Sequence, residues 1–459
     1  MIGRTEGGVP VSVRSAPREP GARAIGFWMA VALVMGNMIG SGIFLLPAAL
    51  APYGGLSLVG WLVSTTGALL LALVFAWLAR LDPAAGGPYA YTRKAFGDLP
   101  AFLVAWGYWI SMWISLGALA VAFVGYLDPF LPSIVRTPAS AALLAIGVVW
   151  LLVLVNVVGV RTAGWVQAVT TILKVLPLVF IAVFGILNFQ PAHFAVTGLE
   201  GRSWVLSVPA VATLTLWAML GLESATVPSE SIVDPERTIP RATVVGTLLT
   251  GIIYMCSTVG VMSLLQPAVL GGSTAPFADA ARTVGGDGAA ALIAMGAAIS
   301  CFGALNGWVL LVGQLPMAVA RDGLFPMVFA RMSRRGTPAA GLVIAGVLTT
   351  ALVAMNYTRG LVDLFTFMIL LATLNTLIPY VFSSLAIFLL RDPRHPLRAG
   401  GSAVAAVAFV YSFWAMAGAG MDTVYYGFLL LIAGLPVFVA MRRPIRGGRS
   451  VAESPPGSA

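Results

Sequence analysis

The chain has 459 residues, of which 59% are hydrophobic and only 9% charged, where soluble domains carry about 25% charged residues. That balance excludes an ordinary soluble protein of two or three domains. The net charge of +9 raises the question of a nucleic-acid partner, which the placement of the charges settles below.

Residues 1–24 are polar and Arg-rich, with no short apolar core beside a small-residue cleavage site. They read as a disordered tail rather than a removable signal, so the first apolar run is expected to stay in the mature protein. After them come runs long enough to cross a hydrocarbon core of roughly 30 Å as helix. Twelve spans are predicted, at about 25–52, 56–79, 99–127, 138–160, 164–189, 205–229, 241–266, 288–319, 338–356, 360–390, 402–420 and 423–441, followed by a second disordered tail at 442–459. The fold class is therefore all-α and integral to a membrane.

Span one holds Gly40-Ser41-Gly42-Ile43 and ends its motif at Pro47. Glycine tolerates unwound backbone, which frees polar groups that lipid cannot satisfy but a polar ligand can. Glycine in membrane helices also serves simply to let helices pack closely. Span six decides between the readings, because Gly221 and Pro228 bound a second eight-residue stretch that contains the carboxylate Glu223. The two breaks occupy matching places if residues 25–189 form one five-span unit and 205–390 a second. An odd number of spans inserts the second unit upside down, and carriers built this way bind substrate near the midplane, at the interrupted helices. The pair at 402–441 is then peripheral.

Two charges lie inside spans. Glu223 is expected to titrate as a gate or to anchor a cation, because an intramembrane carboxylate marks function by default. Lys174 lies ten residues into span five, about 15 Å from its start at 1.5 Å per residue. Its ammonium is expected among carbonyls of the broken first helix, doing the work of a bound sodium ion or carrying a proton. Trp217 and Trp308 fall inside spans six and eight, where rings either pack or stack on a cation. Tyr108 and Tyr380 are placed to bring hydroxyls to the same region.

With the N-terminus inside, Arg136, Arg202, Arg282 and Arg359 lie outside, Lys174 lies within a span, and the other 21 of the 26 basic residues lie inside. This is the positive-inside distribution, with both termini cytoplasmic. It accounts for the net charge without nucleic acid. Cys256 and Cys301 are within spans, and His193 and His395 are in loops, so neither a disulfide framework nor a metal site is predicted, and no cofactor or enzyme chemistry. A channel would call for a filter motif, and none is present.

Several segments together resemble the amino acid–polyamine–organocation (APC) superfamily, and within it the bacterial basic amino acid/polyamine antiporters. They are Gly36 to Pro47, Leu216 to Ala225, Asp234-Pro235-Glu236-Arg237-Thr238-Ile239-Pro240, Ser273-Thr274-Ala275-Pro276-Phe277 and Asp322-Gly323-Leu324-Phe325-Pro326. The resemblance runs over roughly residues 25–440. It implies a LeuT-like 5+5 inverted repeat with discontinuous helices 1 and 6. It also implies alternating-access transport of an amino acid or amine, linked to protons, in the inner membrane, and often as a homodimer. The backbone around Ile39, Ser41, Gly42 and Ile43 would hold the substrate carboxylate, and carbonyls near Trp217 and Ala218 the α-amino group. Trp217 and Trp308 match gating or stacking aromatics, and Glu223 the acidic gate, with Tyr108 and Tyr380 as partners.

Three positions depart from the arginine-selective pattern. Leu116 stands for an asparagine, Ala372 for a serine, and Lys174 instead resembles the lysine of sodium-independent relatives elsewhere in the superfamily. With Met112, Leu116, Met219, Leu220 and Trp308 as the implied walls, the expectation leans to a broad or neutral amino acid range, with basic substrates and strict arginine/agmatine-type exchange as alternatives.

Overall fold

A computed structural model describes residues 26–40, 42–81, 87–158, 163–197, 203–223, 232–390 and 399–442. The predicted N-terminal tail, residues 443–459, Ser41 and the stretch carrying Pro228 lie outside the described residues, while Arg442, placed at the start of the second predicted tail, ends the last helix. The first half comprises α1 (Phe27–Met38), α2 (Gly42–Leu50), α3 (Leu56–Leu81), α4 (Pro88–Phe96), α5 (Asp98–Gly125), α6 (Pro132–Val135), α7 (Pro138–Val158) and α8 (Ala163–Leu187). The second half comprises α9 (Trp204–Ala218), α10 (Pro235–Leu264), α11 (Pro267–Gly272), α12 (Pro276–Arg321), α13 (Met327–Ala330), α14 (Ala339–Asn356) and α15 (Leu361–Leu389). Last come α16 (Ala399–Gly418), α17 (Met421–Ile432) and α18 (Gly434–Arg442). Among the described residues there are no strands, and nine helices are long and apolar enough to cross a membrane. The pair α1 and Gly42–Tyr53 makes a tenth when counted as one span bent by 46°, while Lys174–Leu187 and Trp204–Ala218 are shorter apolar helical stretches.

Local chemistry explains most boundaries. The helices α4, α6, α10, α11 and α12 open on proline at their first turn, where the missing N–H costs nothing and the fixed φ suits a helix. Within α12 the backbone leaves helical geometry at Gly285 and Gly286, the latter at φ +67°. The piece that begins at Pro276 is thus a separate helix, and the spanning part begins beyond Gly286, close to the predicted start at 288. The last predicted span is likewise two helices, α17 and α18, meeting at Ala433.

The outer surface of the helical body is apolar, with Leu143, Leu154, Leu248, Leu292, Val347 and Phe413 exposed, while hydroxyls such as Thr243, Thr247, Ser257 and Thr373 are buried. This inverts the soluble pattern and fits a body solvated by lipid. Inside, α15 packs along α5, and α10 packs against α3, α8 and α1. A close helix crossing lies between α8 and α10, where Gly185 meets Gly260 backbone to backbone, as small residues allow in membrane helices.

Two side-chain clusters tie the ends of helices together. Tyr126, wholly buried just past α5, donates to the Phe44 carbonyl of α2 at 2.6 Å and accepts from the Phe277 amide of α12 at 3.3 Å. The Phe44 ring packs edge-on against Tyr126 and Phe277, at 5.7 and 5.4 Å. A second cluster joins Arg93 of α4 to Asp98 at 3.0 Å and to Asp322 at 3.5 Å, with Arg442 of α18 also on Asp98. Tyr89 donates to Asp322 at 3.0 Å; burial, and next the Asp322 charge, push its phenol well up, so it stays a neutral donor.

The α8–α10 crossing generates a stability prediction. A Cβ at Gly260 would collide with the Ile181 carbonyl, and overpacking of this kind costs about 1–3 kcal/mol. Gly260→Ala should lower the thermal midpoint of the detergent-solubilised protein, whereas Gly147→Ala, where a Cβ meets open space, should leave it unchanged.

Candidate functional site

The two helix breaks converge. At the end of α1 the Gly40 amide turns to the Met38 carbonyl at 2.8 Å, which deprives the Gly36 carbonyl of its helical donor. A helix end leaves such carbonyls orphaned unless other groups reach them. Here Lys174 Nζ, on α8, approaches the Gly36 carbonyl at 3.4 Å, and the Tyr254 hydroxyl of α10 donates to the Met38 carbonyl at 2.7 Å. Lys174 is 1% exposed, and a cation at a helix C-terminus also answers the negative end of the helix dipole.

The second break is built from tighter turns. Met219 and Leu220 donate to the Leu216 and Trp217 carbonyls, three residues back in each case, which is the narrowed winding typical of a helix end. Gly221 then takes φ +98°, a conformation that only glycine adopts freely. That turn delivers Glu223 inward, where it is 2% exposed. Tyr108 of α5 donates to one carboxylate oxygen at 2.5 Å and Tyr380 of α15 to the other at 2.8 Å.

Each break touches the other. A Cβ on Gly42 would lie 2.7 Å from the Trp217 ring and 3.4 Å from the Ala218 Cα, and one on Gly221 would lie 3.4 Å from the Asn37 carbonyl. Between them is a narrow cavity of about 30 Å3, lined among others by Asn37, Gly42, Tyr108, Ser111, Ser115, Trp217, Ala218, Leu220, Glu223, Trp308 and Thr376. A cavity needs about 10–15 Å3 to hold one water, so this one admits few waters, and an amino acid enters only as the surrounding side chains move. Trp217 is braced edge-on against Phe365 at 5.4 Å.

Of the residues singled out from sequence, Gly42, Tyr108, Trp217, Ala218, Leu220, Glu223 and Trp308 share this cavity. Tyr380 stands behind Glu223, and Lys174 stands behind α1. Ile39, Ile43, Met112, Leu116 and Ala372 are buried but are not among the lining side chains, and Ser41 lies outside the described residues. On α5 the lining face runs through Tyr108, Ser111, Ser115 and Leu119, which places Met112 and Leu116 to one side of it. The two serines, Asn37, Met38, Gly40, Leu119 and Thr376 line the cavity without having been named as candidate site residues. Helical spacing from Tyr108 was the available signal for Ser111 and Ser115, and Thr376 lies one turn beyond Ala372 on α15.

Comparison with known proteins places this arrangement. The family described as Amino acid permease matches residues 25–443. The cadaverine/lysine antiporter of Escherichia coli (strain K12) is 37% identical over 378 residues, covering 79% of this chain and 82% of the relative. A putative arginine/ornithine antiporter of Bacillus subtilis (strain 168) is 34% identical over 454 residues, 90% of this chain and 96% of the relative. The putrescine transporter PotE of Escherichia coli (strain K12) is 30% identical over 410 residues, 88% and 93%. The chain belongs to the amino acid permease family, and is a multi-pass membrane transporter rather than an enzyme.

The contact between Gly42 and Trp217 leads to a direct test. Gly42→Ala should press the new methyl onto the indole and cut substrate uptake by about tenfold or more, the scale of a displaced site. Size-exclusion profile and thermal midpoint in detergent should be close to those of the parent protein.

Proposed function

We propose that this protein exchanges basic amino acids and their diamines across the bacterial inner membrane by alternating access. Twelve spans, with both termini cytoplasmic, would form two inverted five-helix units and a peripheral pair, with helices 1 and 6 interrupted at the substrate site. The observation that carries the reading is Glu223, a buried carboxylate set at a helix break on the wall of the central cavity. A carboxylate there attracts an ammonium; of the five apolar side chains behind the expectation of neutral substrates, Leu220 and Trp308 line the cavity, while Met112, Leu116 and Met219 are not in its lining. The three relatives, named for cadaverine and lysine, arginine and ornithine, and putrescine, support the same class.

The cycle follows from the contacts. Tyr108 and Tyr380 hold the Glu223 carboxylate, so a substrate ammonium or a proton competes for one charge. Lys174 at the Gly36 carbonyl does the electrostatic work of a bound sodium ion at the end of α1, which makes transport sodium-independent. Rocking of the interrupted helices against the rest would then open the cavity to one side at a time.

Proteoliposomes loaded with lysine should take up labelled lysine or cadaverine, while empty vesicles should take up little. Accumulation of a neutral amino acid by empty vesicles under a pH gradient alone would instead make the protein a proton-coupled permease. Glu223→Gln should reduce exchange at least about tenfold, the scale of a lost charged hydrogen bond. Exchange at the parent rate in this variant would sink the assigned role.

A further inference from the structure

The hydroxyls on the cavity wall share one property. Ser111 Oγ donates to the Tyr108 carbonyl at 2.7 Å, Ser115 Oγ to the Ser111 carbonyl at 2.7 Å, and Thr376 Oγ1 to the Ala372 carbonyl at 3.0 Å. A hydroxyl has a single proton, and each of these has spent it on its own helix. What the three oxygens offer the cavity is therefore lone pairs only. Glu223 is an acceptor as well, and already receives two phenolic protons.

We infer that Ser111 and Ser115 are specificity-determining residues, which select a substrate whose far end is an ammonium group. This deepens the exchange reading above and rests on it. An ammonium has three donors and no acceptor, so it complements the three hydroxyl oxygens and the carboxylate. A carboxylate is repelled there, and an amide carbonyl meets no donor among the three hydroxyls. Ser111 and Ser115 are 2% and 7% exposed, so a donor that approaches them has little competing water.

Spacing sharpens the choice among cations. Tyr108, at the Glu223 end, and Ser115 are seven residues apart on α5, about 10 Å of helix rise. An unbranched chain carrying two nitrogens spans from the carboxylate toward the serines, whereas a short neutral side chain leaves them unused. Ser111 and Ser115 also lie a turn apart along one helix, instead of side by side in a plane. A guanidinium is best held by paired coplanar acceptors, and an ammonium by single points. The wall accordingly favours lysine, ornithine and simple diamines over arginine.

The test is equilibrium binding to the full-length protein in detergent, with lysine, arginine and norleucine (the lysine side chain without its ammonium) as probes. Ser111→Ala/Ser115→Ala should weaken lysine about tenfold or more, as expected for lost hydrogen bonds to a charged group, and leave norleucine within about twofold. Restoring a hydroxyl at either position with threonine should recover part of the lysine preference. Each single alanine variant is measured alongside, so that misfolding of the double variant leaves the question decided. Equal weakening of lysine and norleucine, or no change in either, would overturn the assignment. If the unmodified protein prefers norleucine, the basic-exchange reading fails and this inference with it. If it prefers lysine and the alanine variants keep that preference, only the role of the serines fails.

Discussion

The carbonyl groups at the end of α1 set the terms for the rest of the structure. A helix that stops within the hydrocarbon depth of a membrane leaves backbone acceptors with no water to turn to. Lys174 from α8 and Tyr254 from α10 reach the Gly36 and Met38 carbonyls, and thereby fix where those two helices pass. The turn that orphans Gly36 also brings Gly42 against Trp217 and sets Asn37 beside Gly221. The first break thus determines the position of the second, and with it the place where Glu223 enters.

Around that centre the side chains divide into those that hold the backbone and those that face the cavity. Lys174, Tyr254 and Tyr126 serve carbonyls directly. Tyr108 and Tyr380 serve the carboxylate and bridge α5 and α15, two of the most extensively packed helices. This division explains how a body with an apolar surface can enclose so many polar atoms. Many are committed to nearby backbone, while others away from the cavity, Thr243 and Thr247 Oγ1 among them, have no hydrogen-bond partner among the described residues.

The membrane character, the bend after α1, the turn at Gly221 and the two buried charges were legible in the sequence, because each is a local departure from a long apolar run. Closely spaced glycines signalled the bend after α1, although Pro47 lies inside α2, and Glu223 and Lys174 stand out by type alone. The walls of the cavity were not legible in the same way. Met112 and Leu116 came from a resemblance, which fixes register along a helix but not its rotation about its own axis. That rotation depends on how α5 packs against α15 and α12, a tertiary fact, and it turned Ser111 and Ser115 to the cavity instead. The interruption of α12 at Gly285 and Gly286 was implicit in the predicted start of span eight, although the short helix before it carried no separate apolar signature.

Tyr126 has a consequence for how its neighbours are held. Its hydroxyl serves the Phe44 carbonyl in α2 and the Phe277 amide in α12 at once. Displacing α2 would strip a buried acceptor of one of its donors, and displacing the start of α12 would strip a buried donor, each at a cost of about 1–3 kcal/mol. One phenol at the end of α5 thus pins two elements that lie far apart in the sequence.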